Sequence, residues 1–317
     1  MTAVQFISFS LINLVVLASG YIILKKQLFR LSWVMLIVSI ATVSFLCTDS
    51  YPVMRMLAII ATTFTAMKVI AATAEYKNKP VALTFKQWFV FATGWPGMRA
   101  QPFEKLGSAP LTDAWHLIRF GLSRIAAGGI LLAFAHFVVK NYPLTQLTYW
   151  FISIILLIAL SLILHFGVLS ISAGVWRLQG VNVHMLFRQP AKAMSLTEFW
   201  GKRWNLAFSE MTSIAIFRPL KKITGNAAAL LAAFVFSGLL HELALSLPVN
   251  YGFGLPLLYF VLQGIAVLIE KAIYPASALL QNKVTARLWT FIWVVVPMPL
   301  LFHTQFVKQV VWPLAGL

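Results

Sequence analysis

The sequence predicts an all-α integral membrane protein, and its composition and hydropathy pattern carry that prediction. Of its 317 residues, 60% are hydrophobic and only 10% are charged, and the mean hydropathy is +0.85. Soluble domains hold about 45–50% apolar and about 25% charged residues, so an ordinary soluble globule and a disordered chain are both excluded. Apolar runs of roughly 20 residues, each long enough to cross a bilayer as a helix, recur along the chain.

Eight apolar runs have the length of a membrane-spanning helix, and a ninth crossing would have to lie in a less apolar stretch. The intervals between the runs leave no room for a large soluble domain. Residues 1–317 are therefore predicted to form a single polytopic membrane domain with eight or nine spans. The runs are 4–24, 31–47, 53–74, 114–139, 147–173, 226–247, 253–273 and 288–306.

Two further stretches, 84–100 and 180–225, are amphipathic and mix aromatic with basic side chains. Such mixtures are typical of segments at the membrane interface, where tryptophan rings and basic side chains meet the lipid headgroups. Both stretches are therefore predicted to be interfacial or re-entrant rather than spanning.

The basic balance of the chain predicts its orientation in the membrane. Lys+Arg number 25 against 8 Asp+Glu, a formal charge of +17 that in a soluble protein would suggest nucleic-acid binding. Here most of the basic residues fall in alternate loops, which the positive-inside rule places in the cytoplasm. Membrane lipids, and not nucleic acid, are therefore the predicted surroundings. Eight spans then place both termini on the outer or lumenal side of a bacterial inner membrane or an endoplasmic reticulum.

A single cysteine, Cys47, excludes an intrachain disulfide framework and a cysteine-based metal cluster, and no metal site is predicted. The first basic residue is Lys25, so the N-terminus lacks the charged start of a secretory signal peptide. The first apolar run is therefore expected to persist as a span.

The first polar motif begins at Ser195, inside the amphipathic stretch 180–225. Ser195 and Glu198 have the spacing of a capping box, which predicts that a helix begins there. On that helix Glu198 and Lys202 are expected to pair, and Trp200 and Trp204 to share one face. Composition alone also fits an interfacial helix that is simply anchored by its tryptophans.

The second motif lies deep inside the apolar run 226–247. His241 is about 22 Å along that helix at about 1.5 Å per residue, and an ionisable residue at such a depth indicates a functional site. Ser237 and Gly238 share its face and are predicted to leave a space beside the imidazole for a chain or headgroup. Glu242 is expected to point about 100° away. The alternative is a core histidine bonded to a neighbouring helix.

Taken together, residues 199–205 (Phe-Trp-Gly-Lys-Arg-Trp-Asn) and 237–242 (Ser-Gly-Leu-Leu-His-Glu) resemble the membrane-bound O-acyltransferase superfamily and, within it, the plant-type wax synthase branch. The similarity is concentrated in 195–247, the predicted catalytic region. The resemblance implies an acyltransferase-type membrane core with an internal tunnel. It also implies that Asn205 and His241 are the active-site pair.

The chemistry of acyl transfer agrees with this pair. An alcohol that attacks a thioester needs a base for its hydroxyl proton, and a neutral imidazole such as His241 suits that role. Asn205 is predicted either to donate an amide N–H to the thioester carbonyl oxygen or to orient the acceptor. No nucleophilic Cys or activated Ser is evident, which favours direct attack in a ternary complex. The predicted reaction moves a fatty acyl group from acyl-CoA, as co-substrate, to a fatty alcohol or another lipid alcohol, with wax ester as the favoured product and no bound cofactor.

A second set of residues is predicted to bind substrate. Basic side chains near the motif could contact the phosphates of coenzyme A, although the positive-inside bias explains them equally well. Two tryptophans and a serine are predicted to line the acyl-CoA site or the tunnel. A structural role is favoured for the deep-lying His165, with indirect support of the site as the alternative. The predicted binding residues are Trp200, Lys202, Arg203, Trp204, Ser237, Arg218, Lys221 and Lys222.

Two other classes of protein stay open at this point. A proton-coupled transporter or lipid flippase could use His241 and Glu242 as a relay, but transporters usually carry internal repeats, and none is found in the sequence. A structural membrane subunit would leave the buried histidine beside small residues unexplained.

Overall fold

The computed structural model describes residues 1–274 and 277–317. Within this part of the chain, 79% of the residues are helical and no strand forms, which confirms the all-α class. Eight of the described helices are long and apolar enough to cross a membrane. The predicted multi-pass membrane architecture is therefore confirmed, with eight spans.

Each predicted run overlaps one of the long helices, and shorter helices fill the connections. The α-helices of the described residues are, in chain order, α1 (Ala3–Lys25), α2 (Phe29–Leu46), α3 (Pro52–Glu75), α4 (Phe85–Gly94), α5 (Ala114–Asn141), α6 (Gln146–Leu178), α7 (Leu196–Glu198), α8 (Leu206–Val249), α9 (Leu255–Ile273), α10 (Ala278–Gln281), α11 (Lys283–Leu301), α12 (Thr304–Phe306) and α13 (Trp312–Leu314). Within them, π-helical segments interrupt α6 at Leu162–Val168 and α8 at Ser213–Phe217 and Glu242–Ser246. Between them lie the 3-10 segments Gln101–Lys105 and Pro190–Lys192 and the π segments Phe199–Arg203 and Val307–Val311.

The amphipathic stretch 84–100 contains the short helix α4. Thr84 begins α4 with a capping box, in which the Thr84 hydroxyl accepts from the Gln87 N–H and the Gln87 side chain accepts from the Thr84 N–H. Its 10 residues span only about 15 Å, which is too short to cross a bilayer. Trp88 and Phe91 are fully buried, so this helix lies against the protein core.

A lysine from α3 holds the far end of α4. Lys68 is only 3% exposed, and its ammonium donates to the carbonyls of Phe91 at 2.8 Å and Ala92 at 3.0 Å, and also to that of Trp95. The last carbonyls of a helix have no partner within it, and the helix dipole favours a cation there. Lys68 therefore fixes α4 against the spanning helix α3.

Helices α5 and α6 approach closely because glycines face each other along their contact. A Cβ built on Gly128 would stand 2.6 Å from Ile163 Cγ1 and 2.8 Å from the Ala159 carbonyl oxygen, so only glycine fits there. Small residues at such interfaces let two helix backbones pack without a hydrophobic driving force from water. The facing glycines are Gly121 and Gly128 on α5 and Gly167 and Gly174 on α6.

Loops that the sequence places on one side of the membrane touch one another in the structure. The Lys25 ammonium, at the end of α1, donates to the Val81 carbonyl at 2.8 Å. The Leu111 N–H, before α5, donates to the Arg177 carbonyl near the end of α6 at 3.0 Å. These contacts gather the connections at one end of the helix bundle. Which side of the membrane that end faces, and in which compartment, stays a prediction.

Helix α8 carries the region between the two motifs and bends at Gly225. The backbone there has φ 81° and ψ 176°, a conformation that favours glycine. The end of the amphipathic stretch 180–225 thus joins the predicted span 226–247 as one kinked helix. The internal tunnel and the single-domain organisation of 1–317 stay predictions.

Two neighbouring glycines of α5 give a matched test of the close packing. Gly129 faces open space, whereas Gly128 touches α6. Gly128→Ala should lower the free energy of unfolding by about 1–3 kcal/mol because the added methyl overpacks the contact. Gly129→Ala should be neutral or stabilising by up to about 1 kcal/mol, since alanine is the better helix former. Thermal unfolding in detergent measures both, and equal melting temperatures for the two variants would contradict the packing.

Candidate active site

The first motif does not form one continuous helix over 195–205. Ser195 begins α7 as predicted, since its hydroxyl accepts from the Glu198 N–H at 2.9 Å. The chain then makes the π turn Phe199–Arg203 and becomes extended at Trp204, with φ −106° and ψ 125°. The expectation that the motif's two tryptophans share one helical face is therefore wrong, because the helix ends between them.

The π turn also changes the ion pair of this segment. The predicted pairing of Glu198 with Lys202 is wrong, because a π turn brings the next residue, Arg203, into register. Arg203 Nε donates to Glu198 Oε1 at 2.7 Å, and the Met194 N–H donates to Glu198 Oε2 at 2.9 Å. Burial alone would raise the pKa of Glu198, but these hydrogen bonds and the guanidinium charge hold it below its usual value.

Asn205 begins α8 from a left-handed backbone conformation, with φ 43° and ψ 65°. Its Oδ1 accepts from the Phe208 N–H at 3.3 Å and so caps the first turn of this helix. Asparagine is among the residues that tolerate this conformation and also cap helices well. Because Oδ1 serves the cap, the half-buried amide keeps its Nδ2 hydrogens as free donors toward a substrate.

His241 lies in α8 just before the π turn Glu242–Ser246. Its Nδ1 is 2.7 Å from the carbonyl oxygen of Ser237. A carbonyl can only accept, so in the neutral imidazole Nδ1 carries the proton and Nε2 keeps its lone pair. The imidazole ring is half-buried between two phenylalanines. Its centroid lies 5.7 Å from the ring centroid of Phe208 and 4.2 Å from that of Phe260.

The small residues before His241 do not leave the expected space beside the imidazole. A Cβ on Gly238 would stand 2.8 Å from Leu257 Cδ1 and 2.9 Å from Leu257 Cα. The space beside Gly238 is therefore occupied by Leu257 of α9. The Ser237 hydroxyl donates to the Ala233 carbonyl at 2.9 Å within its own helix. Gly238 thus permits helix packing, and Ser237 orients the imidazole through its main chain.

The Glu242 carboxylate hydrogen-bonds to the start of α9 and not to His241. Its Oε1 accepts from the N–H groups of Gly254 and Leu257, both at 2.9 Å. The first N–H groups of a helix have no partner within it, and a carboxylate there is favourable. Glu242 therefore fixes the start of α9 against α8.

Helix α9 holds the indole of Trp200 in the first motif. Its indole N–H donates to Gln263 Oε1 at 3.1 Å, and the Gln263 amide donates to the Trp293 carbonyl at 2.6 Å. Gln263 is fully buried. The Trp200 ring lies 5.7 Å from the ring of Phe260, the same residue that contacts His241. One helix therefore contacts both motifs.

Trp204 and His165 form an aromatic cluster next to the first motif. The Trp204 ring stacks on Phe199 at 5.6 Å and meets Phe187 edge-on at 5.0 Å. The His165 ring is 4.7 Å from Phe187 and 5.8 Å from Trp204, and its Nδ1 lies 3.1 Å from the Ser161 hydroxyl. The His165 ring thus packs against Trp204 of the first motif and against Phe187.

The predicted phosphate-binding residues fall into two groups. The Arg203 guanidinium already has protein partners. It donates to Glu198 and also to the carbonyls of Arg188 and Gln189, both at 3.2 Å. The other basic side chains are exposed and able to meet a ligand in the surrounding water. They are Lys202, Arg218, Lys221 and Lys222.

The two predicted active-site residues are linked through one aromatic side chain. The Phe208 N–H is bound by Asn205, and the Phe208 ring contacts the His241 ring. Asn205 thus contacts the main chain of this phenylalanine and His241 contacts its ring. Among the described hydrogen bonds, the Asn205 Nδ2 donor and the His241 Nε2 acceptor are the groups of the two side chains that stay unused.

Two polar residues of α9 were missed by the sequence analysis. Gln263 and Glu270 are both buried, with exposed fractions of 0% and 4%. The signal was available, because polar and ionisable residues inside an apolar run are costly and mark a site or a specific partner. Their partners in the first motif could not be predicted, since those lie more than sixty residues earlier in the chain.

Comparison with known proteins gives a family match over this region. Residues 183–262, which contain Asn205 and His241, match the model of the Membrane bound O-acyl transferase family. The long-chain-alcohol O-fatty-acyltransferase of Simmondsia chinensis is 35% identical over 71 residues, which is 20% of this chain and 20% of that protein.

Two relatives from Arabidopsis thaliana extend the comparison. The probable long-chain-alcohol O-fatty-acyltransferase 9 is 31% identical over 144 residues, covering 41% of this chain and 42% of the relative. The acyl-CoA–sterol O-acyltransferase 1 is 35% identical over 79 residues, covering 23% of each. The matched segments thus span less than half the length of these relatives. Within that span, the chain resembles the membrane-bound O-acyltransferases and their plant wax synthase-like branch, as its two motifs predicted.

Proposed function

We propose that this protein transfers a fatty acyl group from acyl-CoA to the hydroxyl of a lipid alcohol inside the membrane, with a wax ester as the favoured product. One observation carries the proposal: the Ser237 carbonyl holds His241 Nδ1 at 2.7 Å and so leaves Nε2 as the basic nitrogen. A neutral imidazole with a free lone pair is the group that a hydroxyl needs as it attacks a thioester.

The proposed reaction proceeds in one attack and one expulsion. His241 Nε2 takes the proton of the alcohol while the alcohol oxygen bonds to the thioester carbonyl carbon. The carbon–sulfur bond then breaks, and the coenzyme A thiolate leaves with the electron pair. The imidazolium returns its proton to that thiolate, which gives the ester, the free thiol of coenzyme A and a neutral His241.

Asn205 is proposed to stabilise the negative charge that develops on the carbonyl oxygen during the attack. Its Oδ1 is committed to the Phe208 N–H, so the Nδ2 hydrogens are the part of the amide that remains for a substrate. A fixed donor aimed at a developing oxyanion contributes about 10²–10³ in turnover in other enzymes.

The substrate classes are proposed from charge and from the relatives. Lys202 lies in the first motif, and Arg218, Lys221 and Lys222 follow it along α8. All four are exposed cations, and cations of this kind suit the phosphates of coenzyme A. The relatives' names give long-chain alcohols and a sterol as acceptors and acyl-CoA as a donor. A hydrophobic alcohol dissolved in the bilayer is therefore the acceptor class that we propose for this chain.

A proton relay for transport draws less support from the site. The relay would need Glu242 as a proton carrier beside His241. The Oε1 of that carboxylate instead accepts two backbone hydrogen bonds at the start of α9.

The proposal predicts ester formation by the purified protein. Incubation of the protein in lipid nanodiscs with radiolabelled palmitoyl-CoA and separate fatty alcohols, sterols, diacylglycerols and small polyols should give labelled ester with a long-chain or sterol acceptor. Chromatography of the extracted lipids measures the product. If no acceptor yields ester while the protein stays monodisperse, the enzyme proposal is wrong and transport becomes the better account.

His241→Ala should lower turnover by about 10²–10⁴, because the reaction loses its general base. His116→Ala is the matched control, since this histidine is exposed on α5 and outside the site. Ester formation per folded protein measures both variants, and their elution profiles in detergent report folding. A His241→Ala protein with wild-type turnover would contradict the assignment of the base.

Asn205→Asp separates the two roles of Asn205. Aspartate keeps an oxygen for the Phe208 N–H but has no amide donor, so turnover should fall by about 10²–10³ while the melting temperature stays close to wild type. Asn282→Asp is the control, because Asn282 caps α11 with the same side-chain oxygen away from the site. Equal turnover in the two variants would show that the Asn205 amide donates nothing to the reaction.

A further inference from the structure

A buried carboxylate on α9 holds the start of the first motif. Glu270 is 4% exposed, and its Oε2 accepts from the Leu196 N–H at 2.8 Å. Its Oε1 accepts from the Thr197 N–H at 3.3 Å and from the Thr197 hydroxyl at 3.4 Å. All of these donors belong to the first turn of α7. Neither motif contains Glu270, and it lies beyond the family match, which ends at residue 262.

The surroundings of Glu270 indicate why the carboxylate is there. A buried carboxylate is costly unless hydrogen bonds compensate for the lost water. Glu270 meets that cost with three donors from a single short segment, the Leu196 N–H, the Thr197 N–H and the Thr197 hydroxyl. The bonds have defined directions, so they fix the position and the orientation of α7 relative to α9.

The orientation of α7 is transmitted directly to the proposed site. The π turn Phe199–Arg203 follows α7 without a break, and Trp204 and Asn205 come next. Along the same helix α9, Gln263 holds the indole of Trp200 and Phe260 contacts His241. Helix α9 thus touches the motif at two points and the imidazole at a third.

We propose that Glu270 is a positioning residue for acyl transfer: through its hydrogen bonds to Leu196 and Thr197 it sets where Asn205 stands relative to His241. This inference rests on the proposed function. It adds a residue that contacts no substrate and acts through the segment that carries Asn205. A displacement of that segment by about 1 Å costs about 10²-fold in other enzymes, so the effect is expected in turnover rather than in substrate binding.

The test uses a matched pair of carboxylates. Glu75 is a second buried carboxylate that accepts from the main chain, since its Oε2 accepts from the N–H groups of Ala100 and Gln101 at 2.7 and 3.3 Å and its side chain is 8% exposed. Unlike Glu270, it also pairs with a cation, because its Oε1 lies 3.6 Å from Arg99 Nε. Glu270→Gln and Glu75→Gln each replace one acceptor oxygen by a donor. Glu270→Gln loses a hydrogen bond to α7, because both Glu270 oxygens accept from the main chain there. Glu75→Gln can keep both backbone bonds on its remaining oxygen and loses only the charge beside Arg99, so it controls for removal of a buried carboxylate charge.

The expected result for Glu270→Gln is a fall in kcat of at least tenfold per folded protein, with the KM for palmitoyl-CoA within threefold of wild type. Glu75→Gln should keep kcat within threefold. In an Asn205→Asp background, Glu270→Gln should cause little further loss, because the amide that it positions is already gone. Hydrogen exchange should speed up at residues 196–204 in Glu270→Gln and not in Glu75→Gln.

The outcomes separate this inference from the proposed function. If the wild-type protein makes ester and Glu270→Gln matches Glu75→Gln in kcat, the positioning role is overturned and the enzyme proposal stands. A full additional loss in the Asn205→Asp background, or unchanged exchange at residues 196–204, also overturns it. If the wild-type protein makes no ester with any alcohol, both proposals fall together.

Discussion

The hydrogen bond between the His241 imidazole and the Ser237 carbonyl is the interaction on which the account of the site depends. It joins two residues one helical turn apart, so α8 itself fixes the direction of the ring. Because a carbonyl accepts only, the bond decides which ring nitrogen holds the proton. The remaining nitrogen then keeps its lone pair, as the proposed base requires. Two phenylalanine rings enclose the imidazole and limit its other contacts.

Helix α9 connects this imidazole to the first motif. Because Gly238 has no side chain, the backbone of α9 packs directly against α8 at Leu257. Glu242 of α8 caps the start of α9. Further along, Gln263 and Glu270 reach the first motif. The short polar segment and the deep histidine are thus held by a common neighbour, although 36 residue positions separate Asn205 from His241. A site assembled from distant segments needs such a shared support, and here it is a helix buried along one side.

The sequence predicts the spans well because a membrane imposes a simple rule. Apolar runs of sufficient length must be helical, and the structure has a long helix at each of the eight predicted runs. The start of α7 was also predictable, since capping by Ser195 is a local interaction. Local patterns of this kind depend only on neighbours along the chain.

Interactions set by backbone irregularity or by distant packing were not predictable. The π turn Phe199–Arg203 moves the partner of Glu198 from Lys202 to Arg203, and no spacing rule for a regular helix gives that result. From the sequence, the small Gly238 was expected to leave a space beside His241. Only the position of α9 shows that Leu257 occupies that space. The first-motif partners of Gln263 and Glu270 were likewise unpredictable, because packing of distant segments brings them together.

The most direct measurement of the central claim is the tautomer of His241. Nitrogen-15 NMR of protein with ring-labelled histidine reports which nitrogen is protonated, and His241→Gln identifies the His241 signals among those of the six histidines. We expect neutral His241 to be protonated at Nδ1, with Nε2 as the unprotonated nitrogen. Protonation at Nε2 would mean that the Ser237 carbonyl does not hold the ring, and it would contradict the assignment of His241 Nε2 as the base.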